Sequence, residues 1–265
     1  MKLIILIAHF NHPEGLEKSL LSINEPFDVD VIIVDDGSKH KPDPEHLNSI
    51  YKKGKLFFEF LPHNQGVGMA ANHGLKKIQE MDYDLIGRLD CGDLNKPNKY
   101  QKQIEYLKNH PDVKLLGTWA DVVDENGNLL YILKHPTSFE EIKNKMYINS
   151  SFINPTVIFY AEILKTVGNY PEKYRHAAQD YAFFFKVIKH FKAENYPESL
   201  LNYIIEERSI STQKRKLQIR NRIKIIKDNF YFGFHPILGI MRACVLLNIP
   251  RNITTKFREF SSKNQ

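Results

Sequence analysis

The chain has 265 residues, of which 42% are hydrophobic and 26% are charged, and this composition excludes an intrinsically disordered protein. Its two cysteines, Cys91 and Cys244, exclude a disulfide framework and a Cys-x-x-Cys metal site, so we expect a cytoplasmic protein. The net charge of +6 is concentrated in residues 213–265, which hold 12 Lys and Arg against 2 Asp and Glu and predict an anionic surface as partner.

Predicted strands alternate with predicted helices through the first hundred residues. Short β-rich runs occupy residues 2–10, 28–38, 55–62 and 83–90, and helical spacing of apolar residues occurs at 14–23 and 68–81. This alternation predicts an α/β fold with a mostly parallel sheet flanked by helices. Ligands of such sheets bind beyond the carboxyl ends of the strands. We therefore expect the polar residues at three strand ends, His9 to His12, Asp35 to Ser38 and Asp90 to Asp93, to converge.

The first such cluster is Asp35-Asp36-Gly37-Ser38, which follows the apolar run VIIV. Carboxylates at this place can accept hydrogen bonds from a nucleoside base or a ribose. Asp, Gly and Ser are also common in turns, so a capped turn is the alternative.

The second cluster is HNQGVGMAANHG, residues 63–74, between a predicted strand and a predicted helix. Its glycines would let backbone N–H groups approach a phosphate at the helix N-terminus. Gly66, Gly68 and Ala71 also match G-x-G-x-x-A, which makes an NAD-dependent oxidoreductase an alternative. That alternative leaves Asn64 and Asn72 unexplained, and two βα units precede the match, whereas the dinucleotide fingerprint normally opens its domain.

The third cluster lies in GRLDCGDLNKP, residues 87–97, where Asp90 and Asp93 follow a strand. Two carboxylates there can offer oxygen ligands to Mg²⁺ or Mn²⁺, and the cation would offset the charge of a diphosphate. A solvated turn before the next helix is the alternative.

In the second half, Glu125-Asn126-Gly127 predicts a β-hairpin, because Asn-Gly suits a type I′ turn. QDYAFFFKVIKHF, residues 179–191, predicts a helix with Asp180 in its first turn. The spacing of its apolar residues predicts a buried stripe, which comprises Tyr181, Phe184, Phe185 and Ile188.

Taken in order, the three polar clusters resemble the nucleotide-sugar-binding half of the family 2 glycosyltransferases, which have the GT-A fold. ILIAHFNHPEGLEKSLLSI, residues 5–23, resembles the first strand and helix of that family, where an Asn such as Asn11 recurs. SSFINPTVIFYAEILKTVGNYPE, residues 150–172, and the segment from AAQDYAFFF onward resemble its acceptor-side half. The resemblance covers roughly residues 2–211.

The resemblance implies a role for each matching residue. Asp36 matches the acid that reads the nucleotide base, typically uracil, and Asp90 matches an acid that contacts the ribose or donor sugar. Asp93 matches the acid that binds Mn²⁺ or Mg²⁺ at the diphosphate, and Asp180 matches the general base, which its helix N-terminus should keep ionised. The further positions expected to bind the nucleotide sugar are Ala8, His9, Asn11, Asn64 and Gly66.

The sequence departs from the family pattern at several positions. Cys91 and Gly92 fill places of the D-x-D-D pattern, and Gly92 should weaken metal binding if the missing acid contributes. Asn154 stands where relatives often have His and is a candidate for a metal or phosphate contact. Gln179 replaces the usual Glu before Asp180, and His176 and Gln179 are candidates for acceptor contacts.

The resemblance implies an inverting glycosyltransferase that moves a sugar from a UDP-sugar to a hydroxyl of a surface glycan such as lipopolysaccharide or capsule, with a lipid-linked acceptor. The Gln-x-x-Arg-Trp motif of processive synthases is absent, so we expect a non-processive enzyme that transfers a hexose or N-acetylhexosamine. A non-catalytic membrane-associated homologue is the second alternative, beside the NAD-dependent one.

The expected domain spans residues 1–212, with a nucleotide-sugar half at 1–100 and an acceptor half at 101–212, followed by a basic helical tail at 213–265. The tail is too interrupted by polar residues to span a bilayer. It predicts either peripheral contact with an anionic membrane or packing on the domain, and no nucleic-acid partner is expected.

Overall fold

The computed structural model describes residues 1–205 and 214–248. The strands in these ranges are β1 (Leu3–His9), β2 (Asp30–Asp35), β3 (Leu56–Phe60), β4 (Leu85–Arg88), β5 (Leu94–Asn95), β6 (Val113–Val123), β7 (Leu129–Leu133), β8 (Ile158–Tyr160) and β9 (Lys192–Ile204). The helices are α1 (Pro13–Leu21), α2 (Pro44–Ile50), α3 (Val67–Gln79), α4 (Lys99–Asn109), α5 (Phe139–Met146), α6 (Leu164–Val167), α7 (Gln179–His190), α8 (Arg215–Asp228) and α9 (Phe234–Asn248). Short 3₁₀ helices occur at Asn154–Thr156, Ala161–Ile163 and Glu172–Tyr174.

The strands form one sheet in the order β3-β2-β1-β4-β8-β6-β9-β5, and β7 pairs with β6. β3, β2, β1 and β4 are mutually parallel, whereas β8 runs antiparallel to both β4 and β6. The predicted α/β fold with a parallel central sheet is confirmed. The carboxyl ends of β2, β1 and β4 consequently lie at one edge of the sheet.

The sheet is covered on both faces. Leu3 to Ile7 of β1 are all buried, as expected for a parallel strand between two layers of helices. Ile4 and Leu6 belong to the core cluster that includes α3 and α7, and Ile5 and Ile7 belong to the cluster that includes α1 and α4. The predicted stripe of α7 is buried together with Phe183, so this helix forms the centre of one core.

The predicted hairpin exists between β6 and β7, but its predicted type I′ turn is wrong. A type I′ turn needs positive φ at both central residues, and here Gly127 has a φ of 83° while Asn126 is not among the positive-φ residues of the described chain. The Asp124 carboxylate accepts the backbone N–H groups of Asn126 and Asn128 at 3.0 and 2.8 Å. This local hydrogen bonding favours a longer connection.

The described part of the predicted basic tail is helical and packs on the domain. Helices α8 and α9 contact each other, and Ile219, Ile225 and Ile226 of α8 are buried. Asn221 Nδ2 donates to the carbonyl oxygen of Ala177, just before α7, at 2.9 Å. Over the two described ranges, no helix is long and apolar enough to cross a membrane. The expected boundary at residue 212 and the last residues of the tail, 249–265, lie outside these ranges.

The buried side chain of Asn72 joins the two halves of the chain. Its Nδ2 donates to the carbonyl oxygen of Tyr170 at 2.8 Å, and its Oδ1 accepts the Tyr170 N–H at 2.9 Å. Asn72 therefore satisfies both backbone groups of a residue 98 positions away. This contact explains the asparagine that the dinucleotide alternative left unexplained.

We predict that Asn72→Ala lowers the free energy of unfolding by about 2–4 kcal/mol, because two buried backbone groups lose their partners. Urea denaturation followed by circular dichroism measures the change. Asn109→Ala, at an exposed position at the end of α4, is the matched control and should change stability by less than about 0.5 kcal/mol. Equal stabilities of the two variants would contradict the bridging role of Asn72.

Candidate active site

The buried ring of His9 joins the loops that follow β1 and β2. His9 Nδ1 lies 2.8 Å from Asp35 Oδ1, and the backbone N–H of His12 donates to His9 Nε2 at 3.1 Å. Because Nε2 accepts a hydrogen bond, Nδ1 carries the proton and donates it to Asp35. Burial lowers the pKa of His9 despite the neighbouring carboxylate, so the ring is neutral at pH 7. Both ring nitrogens are thus engaged in supporting these loops.

Asn11 also joins the loop after β1 to the loop after β2. Its Oδ1 accepts the backbone N–H groups of Lys39 and His40 at 2.8 and 3.1 Å, and its own N–H donates to Ser38 Oγ at 2.8 Å. Asn11 has a φ of 51°, a left-handed conformation that Asn adopts more readily than most residues. Ala8, half-buried, pairs with Val34 at the carboxyl end of the sheet.

Asp36 ties the end of β2 to the start of α3. Its two carboxylate oxygens accept the backbone N–H groups of Gln65 and Gly66, each at 2.8 Å. Burial raises the pKa of Asp36, and the two N–H groups act in the opposite direction. Two predicted site residues, Asp36 and Gly66, therefore meet here, with the exposed side chain of Asn64 beside them.

Gly37 permits this close approach of the two loops. Its φ is 68°, and an added Cβ would lie 2.4 Å from the backbone carbonyl carbon of His63. No other residue fits that space without moving the backbone. The Asp-Asp-Gly-Ser cluster is thus both a tight turn and a contact with the second polar cluster.

Asp90 follows β4 and is held from two sides. Arg88 Nη2 donates to Asp90 Oδ1 at 3.3 Å, and Asn154 Nδ2 donates to the same oxygen at 3.1 Å. Tyr170 Oη donates to Asn154 Oδ1 at 3.2 Å. Arg88 is 1% exposed, and its Nε and Nη1 have no hydrogen-bond partner in the described chain. Asp90 is therefore the charge partner of a buried cation.

Asp93 is 6% exposed, and its Oδ1 accepts the backbone N–H of Ile204, the last residue of β9, at 3.0 Å. The N–H of Gly92 donates to Ser19 Oγ at 2.9 Å. Gly92 has a φ of 104°, which strains any residue with a Cβ. The backbone of this loop thus explains why glycine stands at a position where the family pattern has an acid.

A buried lysine joins this loop to the 3₁₀ helix at Asn154–Thr156. Lys99 Nζ donates to Asn95 Oδ1 at 2.8 Å and to the carbonyl oxygen of Pro155 at 2.9 Å. Burial lowers the pKa of Lys99 to about 7, and the negative charges of Glu25, Asp93 and Asp90 act in the opposite direction.

Glu25 sits at the start of α4. Its carboxylate oxygens accept the backbone N–H groups of Tyr100 and Gln101 at 2.8 and 2.9 Å. The N–H groups in the first turn of a helix have no partners within the helix. Glu25, which is distant in the sequence, therefore caps α4. The cap fixes the helix that follows the loop bearing Asp90 and Asp93.

Asp180 lies in the first turn of α7, next to the first turn of α3. A Cβ added to Gly68 would lie 3.0 Å from Gln179 Cγ and 3.4 Å from the Arg175 carbonyl oxygen, so the two helix N-termini are in contact. Burial raises the pKa of Asp180, the N–H of Tyr181 lowers it, the charge of Asp90 raises it and that of Arg222 lowers it. The helix N-terminus alone favours the ionised carboxylate, but burial outweighs it.

Two tyrosines show that the acids share one space. The pKa of Tyr203, on β9, is raised by burial and then by the negative charges of Asp93, Asp90 and Asp180. Burial, Asp90 and Asp180 raise the pKa of Tyr170 to about 12, against the opposing charge of Arg88. The acid-bearing loop, the end of β9 and the start of α7 are therefore near one another, and we call the region between them the acidic cleft.

The remaining candidates lie around this cleft. Asn154 is bonded to Asp90, and Gln179 is half-buried against the start of α3. His176 is exposed, and its Nε2 accepts a hydrogen bond from Arg175 Nε at 3.2 Å. His176 is thus near Asp180 in the chain but at the surface.

Several residues of the site were missed by the sequence analysis: Arg88, Lys99, Tyr170, Tyr203 and Arg222. Arg88 had a signal, because an arginine at the end of the buried strand β4 needs an anionic partner nearby. The others had none, since their neighbours are distant in sequence. Arg222, for example, lies in α8 with its guanidinium carbon 5.5 Å from the ring centroid of Tyr181.

Within residues 1–205 and 214–248, no group of three or more His, Cys, Asp or Glu side chains is arranged to hold a metal. Cavities of about 280 and 170 Å³ occur beside α8 and the turn that follows it. Neither is lined by Asp36, Asp90, Asp93 or Asp180. Both cavities therefore lie away from the acidic cleft.

The family model described as "Glycosyl transferase family 2" matches residues 4–168. The chain is 30% identical over 281 residues to an uncharacterised glycosyltransferase of Methanocaldococcus jannaschii, with coverage of 98% of this chain and 96% of that one. It is 27% identical to UDP-Gal:alpha-D-GlcNAc-diphosphoundecaprenol beta-1,3-galactosyltransferase of Escherichia coli, with coverage of 87% and 83%.

Solved structures share the fold. A fragment of S. aureus TarS matches with a TM-score of 0.66 at 16% identity over 94% of this chain and 73% of that one. The chain spans 40% of the longer TarS structure. The mannosyltransferase PcManGT of Pyrobaculum calidifontis, solved with GDP-Man and Mn²⁺, matches with a TM-score of 0.64 at 14% identity over 93% and 69%. At these identities the likeness establishes the GT-A fold.

We predict that the unfolding free energy of the wild type rises between pH 7 and pH 10 relative to Lys99→Met. Between these pH values Lys99 is protonated in the unfolded chain and neutral in the folded chain. The free energy of unfolding of the wild type therefore increases by up to about 1.4 kcal/mol per pH unit. Urea denaturation at several pH values measures the difference. Lys108→Met, at an exposed position of the same helix, is the control, and its unfolding free energy should change with pH as that of the wild type does. The same pH dependence in Lys99→Met and in the wild type would refute the lowered pKa of Lys99.

Proposed function

The chain belongs to glycosyl transferase family 2, and we propose that it is an inverting, non-processive enzyme that moves a sugar from a UDP-sugar to a hydroxyl group of a surface glycan. One observation carries the proposal: Asp90, after β4, is bonded through Asn154 to the hydroxyl of Tyr170, and the charge of Asp180, at the start of α7, acts on the same tyrosine. Transfer of a sugar needs a base for the acceptor hydroxyl close to the binding site of the donor diphosphate.

The donor site is assigned to the ends of β1, β2 and β4. Asp36 and the loop supported by His9 and Asn11 form the nucleoside end, because the base can bind where the carboxylate meets Gly66. Asp90 lies toward Asp180 and is assigned to the ribose or the donor sugar. UDP as the nucleotide is supported by the E. coli relative, whose name specifies UDP-Gal, and by a TarS structure in complex with UDP-GlcNAc.

A divalent cation fits the donor set, although the described residues hold no three-residue metal cluster. Mg²⁺ at nucleotide sites is typically bound by one or two carboxylates together with the phosphates of the substrate. Asp93, with Asp90 three residues before it, offers such a set, and bound Mn²⁺ or Mg²⁺ would supply positive charge beside the diphosphate. A neighbour of the same fold, PcManGT, was solved with Mn²⁺.

Asp180 is assigned as the general base. Its carboxylate takes the proton of the acceptor hydroxyl as that oxygen bonds to the anomeric carbon, and the bond from this carbon to the nucleoside diphosphate breaks. Attack opposite the leaving group inverts the anomeric carbon. The burial that raises the pKa of Asp180 also makes the carboxylate a stronger base once it is ionised.

The acceptor is proposed to be a lipid-linked glycan, as in lipopolysaccharide or capsule synthesis. The E. coli relative acts on a sugar carried by diphosphoundecaprenol, and another relative is the amylovoran biosynthesis glycosyltransferase of Erwinia amylovora. The candidates for acceptor or phosphate contacts are Asn154, which is bonded to Asp90, and Gln179 and His176, which lie close to Asp180 in the chain. Such an acceptor would bring the enzyme to a membrane surface.

The NAD-dependent alternative is set aside. The family assignment opposes it, and so does the geometry, because the Asp36 carboxylate already accepts the N–H groups of Gln65 and Gly66. A pyrophosphate at the start of α3 would lie beside this carboxylate, and its negative charge would be repelled by Asp36.

We predict that UDP with Mn²⁺ raises the melting temperature by about 5 °C or more at a hundredfold excess over its Kd, because the ligand binds only the folded state. Thermal-shift assays with UDP, other nucleoside diphosphates and NAD, each with and without Mn²⁺, measure this. Asp93→Asn should reduce the effect of Mn²⁺. Stabilisation by NAD together with indifference to UDP and Mn²⁺ would overturn the proposed function.

We predict that Asp180→Asn lowers kcat by about 10²–10⁴-fold and leaves donor binding intact, because the amide cannot accept the proton. Because burial raises the pKa of Asp180, the wild-type pH profile of kcat/KM should have an acid limb with an apparent pKa above the ordinary Asp value of 3.8. Activity should be lost as the pH falls through this apparent pKa. Initial rates and donor titrations measure both. Asp82→Asn, at an exposed acid, is the control; unchanged turnover in Asp180→Asn would remove the base assignment.

A further inference from the structure

Helices α8 and α9 with the turn between them form a helical hairpin, residues 214–248, which has a buried inner face. Ile219, Ile225 and Ile226 of α8 are buried, as are Pro236, Gly239 and Ala243 of α9. Arg215 Nη2 donates to the carbonyl oxygen of Leu246 at 3.1 Å, so the start of one helix lies beside the end of the other. The hairpin is therefore an antiparallel pair with a defined outer surface.

The outer surface of α9 carries a row of large apolar side chains. Phe234, Ile237, Met241 and Val245 follow one another at helical spacing and are 72%, 47%, 61% and 56% exposed. Phe232, in the turn before α9, is 96% exposed. We call these five residues the apolar row. Isolated exposed apolar residues are normal, but a continuous row of this kind indicates a surface that binds a partner.

The outer surface of α8 carries a row of cations. Lys216, Arg220, Lys224 and Lys227 are all exposed and lie within one face of the helix, opposite its buried residues. We call these four residues the basic row. The basic row and the apolar row therefore belong to the same hairpin, and each is opposite the buried face of its own helix.

We propose that the outer surface of the hairpin docks on an anionic lipid leaflet, with the apolar row in the acyl boundary and the basic row against the headgroups. An anionic leaflet supplies both kinds of contact, since apolar side chains partition into the interface and each nearby Lys or Arg is attracted to its negative potential. A second copy of the chain would bring two basic rows together. Nucleic acid would satisfy the basic row and leave the apolar row in water.

Docking would also orient the acidic cleft. Asn221 donates to the carbonyl oxygen of Ala177, two residues before α7, and Arg222 lies over the ring of Tyr181 next to Asp180. Arg242 Nη1 donates to the carbonyl oxygen of Ile148 at 2.9 Å and ties α9 to the chain after α5. The hairpin is thus fixed to the helix that bears the proposed base, and a docked hairpin holds the cleft at a set angle to the membrane.

A cavity of about 280 Å³ adjoins the turn of the hairpin and supports the same partner. Tyr147, Phe185, Ile188 and Tyr231 give it an apolar lining, Lys143 is paired with Glu140 at 2.8 Å, and Lys189 adds a positive charge. An apolar lining beside a lysine is compatible with an anionic amphiphile. The link between docking and a lipid-linked acceptor rests on the proposed function, whereas docking itself does not.

Co-sedimentation of the full chain with vesicles tests the proposal. The wild type should bind vesicles of phosphatidylcholine with phosphatidylglycerol, bind phosphatidylcholine alone at least about tenfold more weakly, and be released by salt. Arg220→Gln with Lys224→Gln should weaken binding by about fivefold for each charge removed. Phe232→Ser with Phe234→Ser should weaken it by about tenfold or more, because two apolar side chains no longer insert.

Matched controls carry equivalent changes elsewhere on the surface. Leu129→Ser with Ile132→Ser removes exposed apolar area from β7, and Lys76→Gln with Lys108→Gln removes two exposed charges. Both controls should bind vesicles like the wild type. All variants should keep the wild-type urea midpoint and the wild-type rate of hydrolysis of the soluble UDP-sugar, so that lost docking is distinguished from lost folding or lost chemistry.

Three results would overturn the proposal. The first is vesicle binding by the hairpin variants equal to that of the wild type. The second is a wild type that dimerises through the apolar row in size-exclusion chromatography and binds no vesicles. The third is binding to a nucleic acid that abolishes vesicle binding and depends on the basic row alone. Each of these can occur while UDP binding and sugar transfer persist, so the proposed function would stand.

Discussion

β2, β1 and β4 run side by side in the same direction, and this parallel pairing is the constraint on which the site depends. It places three loops at one edge of the sheet, where ligands of α/β proteins bind. The register matters as much as the direction, because pairing of His9 with Asp35 puts the imidazole against the carboxylate. A slip of one residue would turn these side chains to the opposite faces.

Gathering acids in one cleft carries an electrostatic cost, and the surrounding chain offsets it with fixed donors and cations. Asp36 is held by two backbone N–H groups, Asp90 by Arg88 and Asn154, and Asp93 by the N–H of Ile204. The charge of Asp180 is less well stabilised than those of the other three acids, since burial raises its pKa and Arg222 only partly opposes this effect. A raised pKa suits the role of general base that we propose for Asp180.

The sequence was sufficient for features whose cause is local. The alternation of apolar runs and helical patterns predicted the α/β fold, and each polar cluster was found at a strand end, because turn-forming residues there have local signals. The turn after β6 was predicted wrongly, since Asp124 bonds the backbone of Asn126 and Asn128 and competes with a type I′ turn. Lys99, Tyr203 and Arg222 could not be found, because their positions in the site depend on contacts with residues far along the chain. The packing of α8 on α7 likewise depends on such a contact, between Asn221 and Ala177.

We propose that the loops after β1, β2 and β4 and the start of α7 surround one nucleotide sugar. A crystal structure with UDP and Mn²⁺ would show whether they do. We expect the uridine beside Asp36 and Gly66, the metal at Asp93, and the terminal phosphate on the side of Asp90 that faces Asp180. UDP bound away from these residues, or a diphosphate separated from Asp180 by packed side chains, would contradict it.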